Sequence, residues 1–171
     1  MARHLDKEHL QPALLDRLID EDRSSRLEPL ERRTLTLAQL RQAVIRDLSW
    51  LFNTSSLETT QDLEAFPEVA RSVLNYGVPE FAGKALSGVD VYQVEQRVRR
   101  AIIAFEPRIL EESLQVRLVV REDGMDRNAL VFDIEGRLWA HPMPLHLLLK
   151  TEVDLETGQV TVTEDEGRGL S

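Results

Sequence analysis

The chain has 171 residues, 42% of them hydrophobic and 30% charged, with nine aromatics and no cysteine. This suits a single domain with an aliphatic core, and it excludes disulfides, thiolate metal sites and cysteine nucleophiles. The net charge of −9 accumulates after residue 53 and opposes binding to phosphate backbones, so no nucleic-acid partner is expected.

The opening, MARHLDKEHLQP, lacks the apolar stretch of a signal peptide. No run approaches the ~18 apolar residues of a membrane span. A cytoplasmic protein without membrane insertion is the expectation. Residues 1–11 read as a flexible N-terminus, 12–163 as one domain, and 164–171, EDEGRGLS, as a disordered acidic tail. Within the domain, PALLDRLID opens with a short amphipathic turn carrying Leu14, Leu15 and Leu18. A charged linker follows, up to about residue 33.

Thr36 and Gln39 have the spacing of a capping box. Leu37, Leu40, Val44, Leu48 and Leu51 then form a helical stripe, widened by Ile45 and Phe52. Arg41, Gln42, Arg46 and Asp47 fall on the other side, toward water or a partner. The Thr/Ser-rich stretch after Asn53 reads as a loop. Pro67 starts a second helix through EVARSVLNYG, with Gly77 as its C-terminal stop. Asp90 caps a third, in which Val91, Val94, Val98, Ile102 and Phe105 are the apolar stripe. Arg97, Arg99 and Arg100 decorate its C-terminal half as a solvated face.

Beyond Pro107 the period changes from 3.6 to 2. LQVRLVVRE, ALVFDI, RLWAHP, LHLLLKTEVDL and VTVT read as strands, with turns at Asp123-Gly124, Glu135-Gly136 and ETGQ. Helices followed by an antiparallel sheet of four to five strands make an α+β fold. The run Leu145, Leu147, Leu148 and Leu149 is more apolar than a small one-sided sheet needs.

The chemistry-bearing residues are few. Glu106, Glu111 and Glu112 could be imagined flanking a glycosidic bond. Arg108, however, would depress the Glu106 carboxyl, whereas a general acid needs its pKa raised. Trp50 and Trp139 fall at core-like positions and offer no sugar platform. His4, His9, His141 and His146 share no evident face, and no third ligand accompanies them, so no metal site is expected. No glycine-rich phosphate loop follows a strand. No catalytic residue and no cofactor are therefore expected.

Glu106-Pro107-Arg108 is the most unusual stretch. Pro107 ends the helix and pushes Glu106 out of helical geometry. Arg108 could reach back to the unsatisfied carbonyls of the last turn. A glutamate at that negative end is nonetheless poorly placed for helix stability. The pair could instead be turned outward as a rigid polar claw for another chain. The residues alone leave both readings open.

LLDRL near the start, SVLNYGVPEFAG in the middle and FEPRI after the long helix resemble the TssE family over residues 12–155. These are baseplate components of the bacterial type VI secretion system, similar to a wedge protein of contractile phage tails. The resemblance implies an assembly role beside the wedge subunits TssF, TssG and TssK, at a baseplate docked on the inner membrane. It also implies a sheet that templates the TssB/TssC sheath. The family's docking motif falls on Glu106, Pro107 and Arg108. The family has also been called lysozyme-like, which makes a cell-wall hydrolase one alternative. A regulatory anti-adaptor of the same fold is the other.

Overall fold

Two helices and one sheet form the body of this protein, and each begins where local chemistry dictates. The computed structural model describes residues 13–18, 35–80, 90–119, 129–140 and 143–165. Helix α1 is a five-residue turn, Leu14–Leu18. Helix α2, Leu37–Phe52, starts at a complete capping box. The Thr36 hydroxyl accepts from the backbone N–H of Gln39, whose side chain reaches back to the Thr36 N–H at 2.9 Å. A four-residue helix, α3, spans Pro67–Ala70. Helix α4, Val91–Phe105, starts at Asp90, which takes both the backbone and side-chain N–H of Gln93.

The expected α+β architecture is present. Strands β1 (Gln115–Val119), β2 (Ala129–Leu138), β3 (Leu145–Asp154) and β4 (Val160–Glu164) form an antiparallel sheet in sequence order. Helices α2 and α4 cover one face, α2 over β4 and α4 over β1. Leu40, Val44, Leu48 and Leu51 of α2 bury with Val98 and Ile102 of α4. Alternate sheet residues, including Phe132, Ile134, Leu147 and Leu149, complete the core. Each helical stripe loses its first member to solvent: Leu37 is 48% exposed, and Val91 is also exposed.

Three expectations change. Glu135-Gly136 is not a turn. Strand β2 runs through it, pairing Glu135 with Gln115 and Leu148, and Gly136 with Leu147. A type I′ turn needs positive φ at both central residues, and neither has it. Gly136 is there for close packing instead, since a Cβ would stand 3.2 Å from Ile109 Cγ2. RLWAHP is accordingly no separate strand.

The helix expected from Pro67 to Tyr76 ends at Ala70, and a 3-10 turn follows at Val73–Asn75. Side chains compete for its backbone. The Ser72 hydroxyl donates to Val69 O and accepts from Leu74 N–H, while Asn75 Nδ2 donates to Ala70 O. Val73 and Leu74 therefore lie on the surface, with Val73 80% exposed. The tryptophans are also not core residues, with Trp50 49% and Trp139 56% exposed.

The expected turn at Asp123-Gly124, the loop after Phe81, His4, His9 and His141 fall outside the described residues, as do residues 1–11 and most of the tail.

Candidate functional site

The corner after α4 is built by three separated segments. Gly77, at φ 130°, lets the chain press against the end of α2, where a Cβ would sit 2.3 Å from Thr54 O. Val78 N–H donates to Thr54 O at 2.9 Å, and Ser56 N–H donates to Val78 O at 3.0 Å. Asn75 is buried and ties the 3-10 turn at Leu57–Thr59 to the one at Val73–Asn75, accepting from Glu58 N–H at 2.9 Å. These contacts set Tyr76 edge-on to Phe105, with ring centroids 5.1 Å apart. The NYG-P stretch is thus an anchoring device beside the corner.

Glu106 is the C-cap of α4, with its N–H still bonded to Ile102 O at 2.8 Å. Its side chain turns inward and is only 2% exposed. Arg108 closes on it as a fork. The backbone N–H donates to Glu106 Oε1 at 3.1 Å, Nε donates to the same oxygen at 2.6 Å, and Nη2 donates to Oε2. Nη2 also reaches Asp47 Oδ2 of α2 at 2.5 Å. Asp47 in turn takes Arg46 Nε at 2.9 Å, and Arg46 Nη1 binds Asp16 of α1 at 2.5 Å.

The result is an alternating chain, Asp16–Arg46–Asp47–Arg108–Glu106. It joins the LLDRL turn, the polar side of α2 and the α4 corner. Burial opposes the charge on Arg108, but the hydrogen bonds and charges of Glu106 and Asp47 outweigh it and raise its pKa. Asp16, ahead of Asp47, holds Arg46 up in the same way against its own desolvation. Burial first, then Asp47 and Glu106, pushes the Tyr76 phenol up.

Neither sequence reading of the corner describes this geometry. Arg108 does not reach back to the helix carbonyls, and Glu106 does not face outward. Pro107 is exposed and Arg108 half-buried, so the corner presents the proline and the rim of the guanidinium. Beside it lies a groove of ≈ 410 Å³, into which Leu15, Trp50, Tyr76 and Phe105 contribute apolar walls. The guanidinium of Arg46 stands 5.0 Å over the Trp50 ring. Leu14 and Leu18 of α1 are exposed nearby in the chain. Asp47, Arg46, Asp16 and Tyr76 carry no sequence signal for this role, because nothing in helical spacing tells which polar residue a distant corner will meet.

The arrangement offers little to hydrolysis. Both oxygens of Glu106 are taken, and Glu111 and Glu112 lie exposed on a 3-10 turn. His146 pairs with Glu135 at 3.1 Å on the surface. Among the described residues, no three His, Asp or Glu side chains gather as metal ligands. No helix among them is long and apolar enough to cross a membrane.

The family model for the baseplate wedge protein gp25 matches residues 38–143, more than half of the chain. None of the curated proteins matches. A crystal structure of a Geobacter sulfurreducens protein, described as a proposed tail lysozyme, is similar at 19% identity and a TM-score of 0.44. The match covers 68% of this chain and 94% of that one.

Proposed function

The chain belongs to the baseplate wedge protein gp25 family, and on that premise we propose that it is the wedge component of a type VI secretion baseplate. It docks other wedge subunits, in the class of TssF, TssG and TssK, through the α4 corner. Its sheet offers the starting template for a TssB/TssC sheath, and it works in the cytoplasm at a baseplate held on the inner membrane. Residues 12–163 act as one unit in this reading.

The observation that carries the docking reading is the joint layout of groove and corner. An exposed proline and a half-buried guanidinium stand beside an apolar groove that includes a half-exposed tryptophan. Monomers seldom leave aromatic and aliphatic surface together around a fixed charge unless another chain covers it. Glu106, Pro107 and Arg108 form the docking element, with Glu106 holding Arg108 in place from beneath. The protein is not an enzyme in this reading, since its buried carboxylate is fully bonded.

The test uses surface variants that leave the charged chain intact. Trp50→Ala and Pro107→Glu should melt within a few degrees of the parent and lose co-purification with TssF, TssG and TssK. Intact co-purification by both would refute the docking role. Release of soluble muropeptides by the purified protein would refute the non-enzymatic reading.

A further inference from the structure

Helix α1 forms part of the groove wall, yet little in the chain itself holds it there. Ala13 and Leu15 line the groove together with Trp50, Tyr76, Phe105 and Pro107 of the body. None of the α1 leucines joins the packed core. Leu14 is 71% exposed and Leu18 72%, one turn apart on the same side of the helix, and Leu15 is 43% exposed. A helix of five residues leaves its first four N–H groups without an intrahelical partner and is not stable by itself.

Among the described residues, one polar contact ties α1 to the body, the ion pair from Arg46 Nη1 to Asp16 Oδ1 at 2.5 Å. The seat is incomplete, because Asp16 Oδ2 is buried with no hydrogen-bond donor, which disfavours this position. Arg46 is itself fixed from the other side, by Asp47 and by the Trp50 ring 5.0 Å away. Helix α1 is thus a leucine-bearing segment hung from the body by one carboxylate oxygen.

The surroundings also say what can enter. Side chains of α1 and of the body line the same space, so an apolar side chain placed in it gains contact with both. The ion-pair chain starts at Asp16 and ends at Glu106, with three acids against two arginines. Its excess charge is negative, which disfavours an incoming carboxylate and tolerates neutral or basic neighbours.

We infer that α1 is a strap, which closes over a partner segment seated in the groove and holds it against the body through Leu14, Leu15 and Leu18. Asp16 and Arg46 position the strap. The segment carries bulky aliphatic or aromatic side chains flanked by neutral or basic ones. Closing takes the leucines out of water only when the segment is present, so α1 governs release rather than encounter. The inference rests on the docking reading of the corner and adds the element that retains the partner.

The test measures the full chain against the purified TssF–TssG–TssK complex. Amide hydrogen exchange reads α1, and surface plasmon resonance reads association and release. Exchange at Leu14–Leu18 should slow on binding. Leu14→Ser/Leu18→Ser should release about tenfold or more faster with association unchanged, since burying one leucine side chain is worth at least that factor. This variant should melt with the parent, because both side chains are already largely in water. Asp16→Asn should release faster by the same split, with association again unchanged. Release at the parental rate by either variant, or unaltered exchange in α1 on binding, overturns the strap and leaves docking at the corner standing. Faster association and tighter binding by the variants would make α1 a plug and overturn the strap as well. No binding by the parent overturns both readings.

Discussion

Replacing Arg108 by alanine removes the counter-charge of the most deeply buried carboxylate among the described residues. Glu106 would lose the Nε and Nη2 bonds and keep only the backbone N–H of residue 108. Asp47 would keep Arg46. Removing one partner of a buried pair costs ~3–5 kcal/mol. The surviving backbone bond and the partial exposure of Arg108 put this case near the lower end, about 3 kcal/mol. For a domain of this size that lowers the melting midpoint by about 6–12 °C, read by circular dichroism. Glu106→Gln keeps the shape and removes the charge. The double variant Glu106→Gln/Arg108→Ala should therefore recover part of the loss, with a coupling of roughly 1–3 kcal/mol. Arg108→Ala melting within a degree of the parent, or a double variant equal to the sum of the singles, would show that the buried pair contributes nothing to the fold.

Leu48 is fully buried beneath both α4 and the sheet, so Leu48→Ala should destabilise by ~2–5 kcal/mol in urea titrations; less than half a kilocalorie would place the stripe outside the core. Gly77→Ala forces a Cβ to within 2.3 Å of Thr54 O at a φ of 130°, and we expect soluble protein to be lost, or melting to fall by many degrees, because backbone lines that position. The Tyr76 phenol is pushed up by burial. The folded state therefore holds its proton more tightly, and this contribution is complete below the unfolded pKa of about 10 and fades as pH rises past it. Urea titrations between neutral pH and strong alkali should show the parent losing stability more steeply than Tyr76→Phe; equal slopes would discard the assignment.

The sequence was informative wherever a local rule decides the outcome. Thr36 and Asp90 cap their helices because a side-chain oxygen three residues ahead is all that a cap requires. The period change after Pro107 announced the sheet. Local rules misled where tertiary contacts outbid them. Glu135-Gly136 has the composition of a turn, yet continuous pairing on both sides carries β2 straight through it. Pro67 and the apolar spacing after it promised a full helix, but Ser72 and Asn75 offer the backbone other partners. Trp50 belongs to α2 yet flanks the groove, because the stripe was wide enough to be filled without it.

The corner itself was visible in the sequence but its geometry was not. Proline after a helix states where the chain must leave, and an adjacent Glu/Arg pair states that charge is placed there. Which way the pair turns depends on Asp47, sixty-one residues away in the chain from Arg108. Once Asp47 is counted, the corner has a physical logic. A glutamate is unfavourable at a helix C-terminus, and a buried one more so, unless a cation holds it. Arg108 does so from two residues away, and Asp47 fixes the other side of the same guanidinium. The planar fork is then locked at the groove mouth without depending on an incoming chain. An arginine already held in its bound shape loses little rotamer freedom on association. In the docking reading proposed above, the buried Glu106 serves the fold and the interface by one act, which is to keep Arg108 still.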